Sequence, residues 1–287
     1  MNTEHHRIIA GVSTAESRTL VRWAAEEAAA QHAELRLVTA LPAPAAPDRY
    51  LPNDVADARR DTTTRLLADL VAETVAGWPS LVVTSDVAAG PPAAVLRDAA
   101  AGADLLVVGA DDASPFIEAL SGSVPGDLLN TAPCPLAVVP RPGRTTLVSA
   151  PVVVAVDESA ISQAAVAYGY AAAHRTGRPL TILRCIPTGT ADGGTSTAEA
   201  RLLIAFAELY PAVVVSTEVV PDDPRHALVA ASRHAALLVV GSRGRGRLAS
   251  SLFGSVSRDL IRRSDCPVVI ARTQLARSGS GSLALSS

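Results

Sequence analysis

The residues best suited to chemistry lie in one segment, Gly241-Ser-Arg243-Gly244-Arg245-Gly246-Arg-Leu-Ala-Ser-Ser-Leu-Phe-Gly254-Ser255-Val256. Glycines let a backbone approach a bound group closely and present its N–H groups. Gly254-Ser255 precedes a stretch with helical spacing that opens at Val256. A helix start there would offer unpaired N–H groups and the positive end of a dipole to an anion. Ser255 adds a hydroxyl. Arg243, Arg245 and Arg247 add guanidinium forks suited to phosphate oxygens. These residue types bind and neutralise a phosphate; they do not break bonds.

The rest of the sequence narrows the function classes. It contains no lysine, which excludes a P-loop lysine, a Schiff-base lysine and the strand lysine of protein kinases. None of the six histidines (His5, His6, His32, His174, His226, His234) falls where a strand should end. His32 and His174 fall near the ends of equivalent helices, where capping is expected. The pairs Asp111-Asp112 and Asp222-Asp223 read as solvated turn residues. Cys134 and Cys266 each precede a proline and open an apolar run, as small buried hydrophobes do. No cysteine pair has metal-ligand spacing. No catalytic residue and no metal site is therefore assigned. Gly244-Arg-Gly246-Arg-Leu-Ala249 has the spacing of a dinucleotide fingerprint. Its helix starts only at Gly254, however, and Asp265 precedes a strand instead of ending one, so that reading is rejected.

The elements that must position the glycine loop are legible. Short continuous runs of Val, Ile and Leu occur at Ile8–Val12, Leu35–Ala40, Leu81–Val87, Asp104–Gly109 and Pro135–Val139. They recur at Val152–Val156, Leu180–Ile186, Val213–Val220, Leu237–Gly241 and Pro267–Ala271. Such runs predict strands buried on both faces. Alanine-rich stretches with helical spacing alternate with them. Strand and helix in alternation predict an α/β fold with a parallel sheet. The scheme is written twice. Gly109, Gly122 and Cys134 answer Gly241, Gly254 and Cys266 at one offset of 132 (241−109, 254−122, 266−134). Val12 answers Val156 at 144, so the first copy must hold about 12 extra residues, and the proline-rich stretch Pro42–Pro52 is the expected place for them. The predicted organisation is a first domain over 1–140, a linker over 141–149, a second domain over 150–272 and a disordered Gly/Ser-rich tail over 273–287.

The spacing Gly241, Gly244, Gly254-Ser255 resembles the ATP-binding signature of the universal stress protein family. Val156-Asp157-Glu-Ser is similar to the end of that family's first strand, where an aspartate meets the nucleoside. The resemblance implies two tandem flavodoxin-like (Rossmann-like) domains, each a five-stranded parallel sheet of order 3-2-1-4-5 with helices on both faces. It also implies ATP, with or without Mg²⁺, held by Val156, Asp157, Gly241, Arg243, Gly244, Arg245, Gly246, Gly254, Ser255 and Val256, with adenine near Cys185. The N-terminal copy departs from the pattern. Asp112 stands at the second glycine, and Ser13 replaces the aspartate. Ser13, Gly109, Gly122 and Ser123 therefore form a weaker second site.

The expected function is a nucleotide-dependent regulatory or stress-response protein with slow or absent hydrolysis. The alternative is a dimerisation module of the same fold that binds no nucleotide. A net charge of −3 with scattered arginines argues against a nucleic-acid partner. No apolar run approaches the ~18 residues of a membrane span, and Met1 to Arg7 is polar, so the expected location is the cytoplasm. The two copies should form an intrachain pseudo-dimer through their fifth strands, and a further homodimer is left open.

Overall fold

The computed structural model describes residues 6–13, 17–41, 53–110, 124–141, 149–156, 162–186, 197–241 and 255–272. The first copy runs β1 (Arg7–Gly11), α1 (Arg18–Gln31), β2 (Glu34–Leu41), α2 (Asn53–Gly77), β3 (Val83–Ala89), α3 (Pro92–Ala99), β4 (Leu105–Gly109), α4 (Val124–Thr131) and β5 (Leu136–Val139). The second runs β6 (Val152–Val156), α5 (Ser162–Thr176), β7 (Leu180–Ile186), α6 (Thr197–Leu209), β8 (Val215–Pro221), α7 (Pro224–Ser232), β9 (Leu237–Gly241), α8 (Ser255–Arg263) and β10 (Val268–Ala271).

All ten strands join one sheet of order β3-β2-β1-β4-β5-β10-β9-β6-β7-β8. Each half has the expected 3-2-1-4-5 order. The halves meet edge to edge through their fifth strands, in one antiparallel pair that sets Val268 opposite Val138 and Ile270 opposite Leu136. Continuous apolar strands are explained by helices on both sides. Ile8 and Ala10 belong to an apolar layer that includes α1, α2, α5 and α6 residues, while Ile9 points to a layer on the other side. Each fully buried Val, Leu or Ile contributes about 1.5–3 kcal/mol. The apolar runs thus supply most of the driving force.

The extra residues of the first copy are not in the proline-rich stretch. α2 has 25 residues and α6 has 13, a difference of 12. Residues 42–52 lie outside the described residues, and that segment is only one position longer than its counterpart, 187–196. The surplus corresponds to the first part of α2, where residues 57–62 are all exposed, so the helix lengthens into solvent without disturbing the sheet.

Beyond the strand pair, polar contacts among the described residues also tie the copies together. On one face Glu27 of α1 accepts from Arg175 Nη2 of α5 at 2.5 Å and from Tyr168 Oη at 3.3 Å. On the other face Arg272 Nη2 donates to the Leu128 and Leu129 carbonyl oxygens at the end of α4. Helix C-termini expose carbonyls that a cation satisfies. His32 ends α1 as expected, but with its backbone. It adopts the left-handed conformation (φ 52°) and donates its N–H to the Ala29 carbonyl oxygen. The His174 ring instead packs against Tyr210.

Candidate functional site

In an open parallel sheet, the two strands at the reversal of order diverge in their connections and leave a crevice at their carboxyl ends. In the C-terminal copy those strands are β6 and β9, which pair Val152 with Leu237 and Val154 with Val239. Continuing that register sets Val156 level with Gly241. Gly241 is in turn level with Ala271 of β10. β7 ends beside them, with Arg184 level with Val156 and Cys185 one residue further. Ser255 opens α8, and Val256 packs half-buried against the core beneath the crevice. Three predicted residues, Val156, Cys185 and Gly241, therefore gather at one end of the sheet. Asp157, Arg243, Gly244, Arg245, Gly246 and Gly254 lie outside the described residues.

The chemistry of the gathered side chains is that of a wall. Burial pushes the Cys185 thiol up to about 11, assisted by the carboxylates of Asp222, Asp223 and Glu218. A neutral thiol at that position offers apolar surface and no nucleophile. Cys134 and Cys266 are buried and pushed up to about 12. The pair Asp222-Asp223 has a structural role. Asp223 caps α7 by accepting from the Arg225 backbone N–H at 2.8 Å, and its carboxylate also takes two bonds from the Arg225 guanidinium. Those bonds hold its carboxyl down at about 2. Among the described residues no group of three metal-ligating side chains occurs.

One feature beside the crevice was missed. Arg184 and Glu199 form a buried ion pair, Nη2 to Oε2 2.6 Å, beneath the end of β7. The signal was an arginine inside the otherwise apolar run Leu180–Ile186, with a glutamate in the next helix. Removing either partner would strand a charge at about 3–5 kcal/mol. In the N-terminal copy the matching residue is Thr39, whose hydroxyl donates to the Val12 carbonyl oxygen at 2.8 Å. Gly109 ends β4 there, and Ser13 lies two residues beyond the end of β1. Ser13 is exposed, and its backbone N–H donates to Ser17 Oγ at 3.4 Å. Gly122 and Ser123 lie outside the described residues.

A doubly wound sheet of this order, duplicated in tandem and with a crevice at the reversal of strand order, defines a flavodoxin-like α/β protein. The family model described as "Universal stress protein family" matches residues 4–140 and 150–272. The chain belongs to the universal stress protein family. One relative, a universal stress protein of Mycobacterium tuberculosis strain H37Rv, is 30% identical over 293 residues, covering 94% of this chain and 98% of its own length. A second from the same strain is 31% identical over 294 residues, covering 93% and 97%. Among solved structures, a universal stress protein from Archaeoglobus fulgidus is 20% identical with a TM-score of 0.70, over 93% of this chain and 96% of that one. It shares the fold. No helix among the described residues is long and apolar enough to cross a membrane.

Proposed function

We propose that the C-terminal copy binds ATP and that the protein acts as a nucleotide-dependent regulator of the stress response. The observation that supports this reading is that Val156 and Gly241 end level with each other at the reversal of strand order, where β9 leads through residues 242–254 to α8. The segment from Gly241 to Ser255 has the sequence of a phosphate cradle with arginines. Cys185 supplies an apolar wall for the base. Asp157 would accept from the nucleoside. Membership of a family with this signature agrees with the assignment.

Turnover is slow or absent in this reading. The chain has no lysine, and its thiols are held neutral. The protein is then a sensor whose output follows occupancy. Release of bound material from freshly purified protein by denaturation, followed by chromatography, should yield adenine nucleotide. Titration calorimetry on stripped protein should give one ATP per chain, and Gly244→Val should weaken binding at least about a hundredfold. A folded Gly244→Val protein with unchanged affinity would contradict the phosphate-loop assignment.

A further inference from the structure

We propose, resting on the ATP reading, that Arg184 and Glu199 are positioning residues for the base: their buried pair fixes the carboxyl end of β7, so that the Cys185 carbonyl oxygen meets the 6-amino group of adenine and selects ATP over GTP. β7 outruns its inner neighbour. Its pairing with β6 ends where Val156 meets Arg184, whereas its pairing with the outer strand β8 continues to Ile186. The Val152 N–H donates to the Pro179 carbonyl oxygen, and the Leu180 N–H donates to the Val214 carbonyl oxygen. Odd-numbered residues of β7 therefore aim their peptide groups toward β6, and even-numbered ones toward β8. The Cys185 carbonyl oxygen is then the first acceptor of β7 beyond the paired length on the β6 side, where the crevice lies. Adenine offers an amino donor to such an acceptor, while guanine offers an oxygen at the same place. An acceptor held against a donor rejects the base that lacks it.

The support for that strand end comes from the other face of the sheet. Arg184 follows Leu180 and Ile182 on the face that carries α5 and α6, opposite to Leu183 and Cys185. There its Nη2 donates to Glu199 Oε2 at 2.6 Å, and both side chains are only 9% exposed. Glu199 sits in the first turn of α6, where the helix dipole favours a carboxylate. The pair thus ties the overhanging end of β7 to a helix start. The N-terminal copy shows the same place without it. Thr39 answers Arg184, and Leu67 answers Glu199 at the offset that also relates the helix ends (199−67 and 209−77, both 132). Thr39 and Leu67 are buried, and Thr39 ties the end of β2 to β1 instead of to a helix. An uncharged pair is therefore compatible with the fold, and a buried ion pair in its place adds little net stability. The charged pair occurs in the copy whose glycine spacing is intact, and not in the copy whose spacing is broken. Its place beside the strand end that meets the base suits it to hold geometry.

Titration calorimetry of the full chain, stripped of nucleotide, with ATP and with GTP measures the preference for adenine. Arg184→Thr combined with Glu199→Leu, the pair of the N-terminal copy, should lower that preference about tenfold, chiefly by weakening ATP. Circular dichroism and thermal melting check that the variant is folded. If it does not fold, Glu199→Gln keeps the shape, removes the charge, and should lower the preference about threefold. A pair with a merely structural role would move both nucleotides alike and leave the preference unchanged. Unchanged preference in a folded variant overturns the proposal, and so does a parent that binds ATP and GTP equally. Both outcomes are read on a parent that binds ATP, so they leave the ATP reading standing. A parent that binds no ATP is a separate failure, which removes the ATP reading and this proposal with it.

Discussion

The N-terminal copy has Ala10 on β1 and Ala25 on α1, both fully buried in one apolar layer. At the same positions, 144 residues on, the C-terminal copy has Val154 on β6 and Gly169 on α5. A Cβ on Gly169 would overlap the Val154 methyl Cγ2. One side chain grew where its neighbour shrank, and the helix keeps its place on the sheet. The proposed phosphate-binding segment shows no such compensation. Asp112 replaces the glycine at Gly244 and Ser13 replaces Asp157, yet no cation appears in the N-terminal loop to offset the added carboxylate. Packing volume has been conserved between the copies while the residues proposed for binding have diverged. This is expected when a fold needs both halves and a function needs one site.

The largest effect should come from the contact that the copies do not share. Glu27 and Arg175 would recur across the pseudo-twofold as Ala171 and Gln31, so the ion pair is written once. Glu27→Ala strands a mostly buried guanidinium and should destabilise the protein by about 3–5 kcal/mol. Chemical denaturation measures this, and the reciprocal change Ala171→Glu should bring no comparable gain.

Gly169→Ala should cost about 1–3 kcal/mol from overpacking. Val154→Ala in the same chain should recover most of that loss, because it recreates the arrangement of the N-terminal copy. Lack of recovery would mean that the two positions are not coupled. Melting of the two single variants and the double variant closes the cycle.

A carboxylate roughly 5 Å from a phosphate oxygen is repelled by about 3 kcal/mol at an effective dielectric near 20. Solvent halves that, leaving about a tenfold penalty. Asp112→Gly with Ser13→Asp should therefore create a second ATP site that calorimetry resolves as a rise in stoichiometry. Two equal sites in the unmodified protein would abolish the proposed asymmetry between the copies.

The smallest effect concerns the α7 cap, which α3 lacks because Pro91 occupies that place without a side-chain bond. Asp223 has a folded pKa depressed to about 2. Its contribution is present above the ordinary aspartate value, near 4, and fades as pH falls toward 2. The melting temperature of Asp223→Ala should lie slightly below the parent at neutral pH. The two should converge in acid.

The ten strands of the described residues are readable in the sequence, because burial on both faces writes a local signal, a continuous Val/Ile/Leu run, that needs no knowledge of neighbours. The duplication was readable for the same reason, since it is a relation between letters. Gly241, Gly254 and Ser255 stand out by composition, and Asp157 by the resemblance of Val156–Ser159 to the family's first-strand end. Arg184 and Glu199 escaped. A charge inside an apolar run becomes meaningful only when a helix brings the opposite charge over it. The surplus residues of the first copy lengthen α2 and not the proline-rich stretch, since a helix start gives a weaker local signal than a run of prolines. Pairing decides the rest. Only the tertiary structure shows that the halves join edge to edge through Val138 and Val268, that Glu27 meets Arg175 across the join, and that β8 lies at the rim of the sheet. These are contacts between residues far apart in the chain, set by how apolar layers close over one another, and no periodicity within a single segment encodes them.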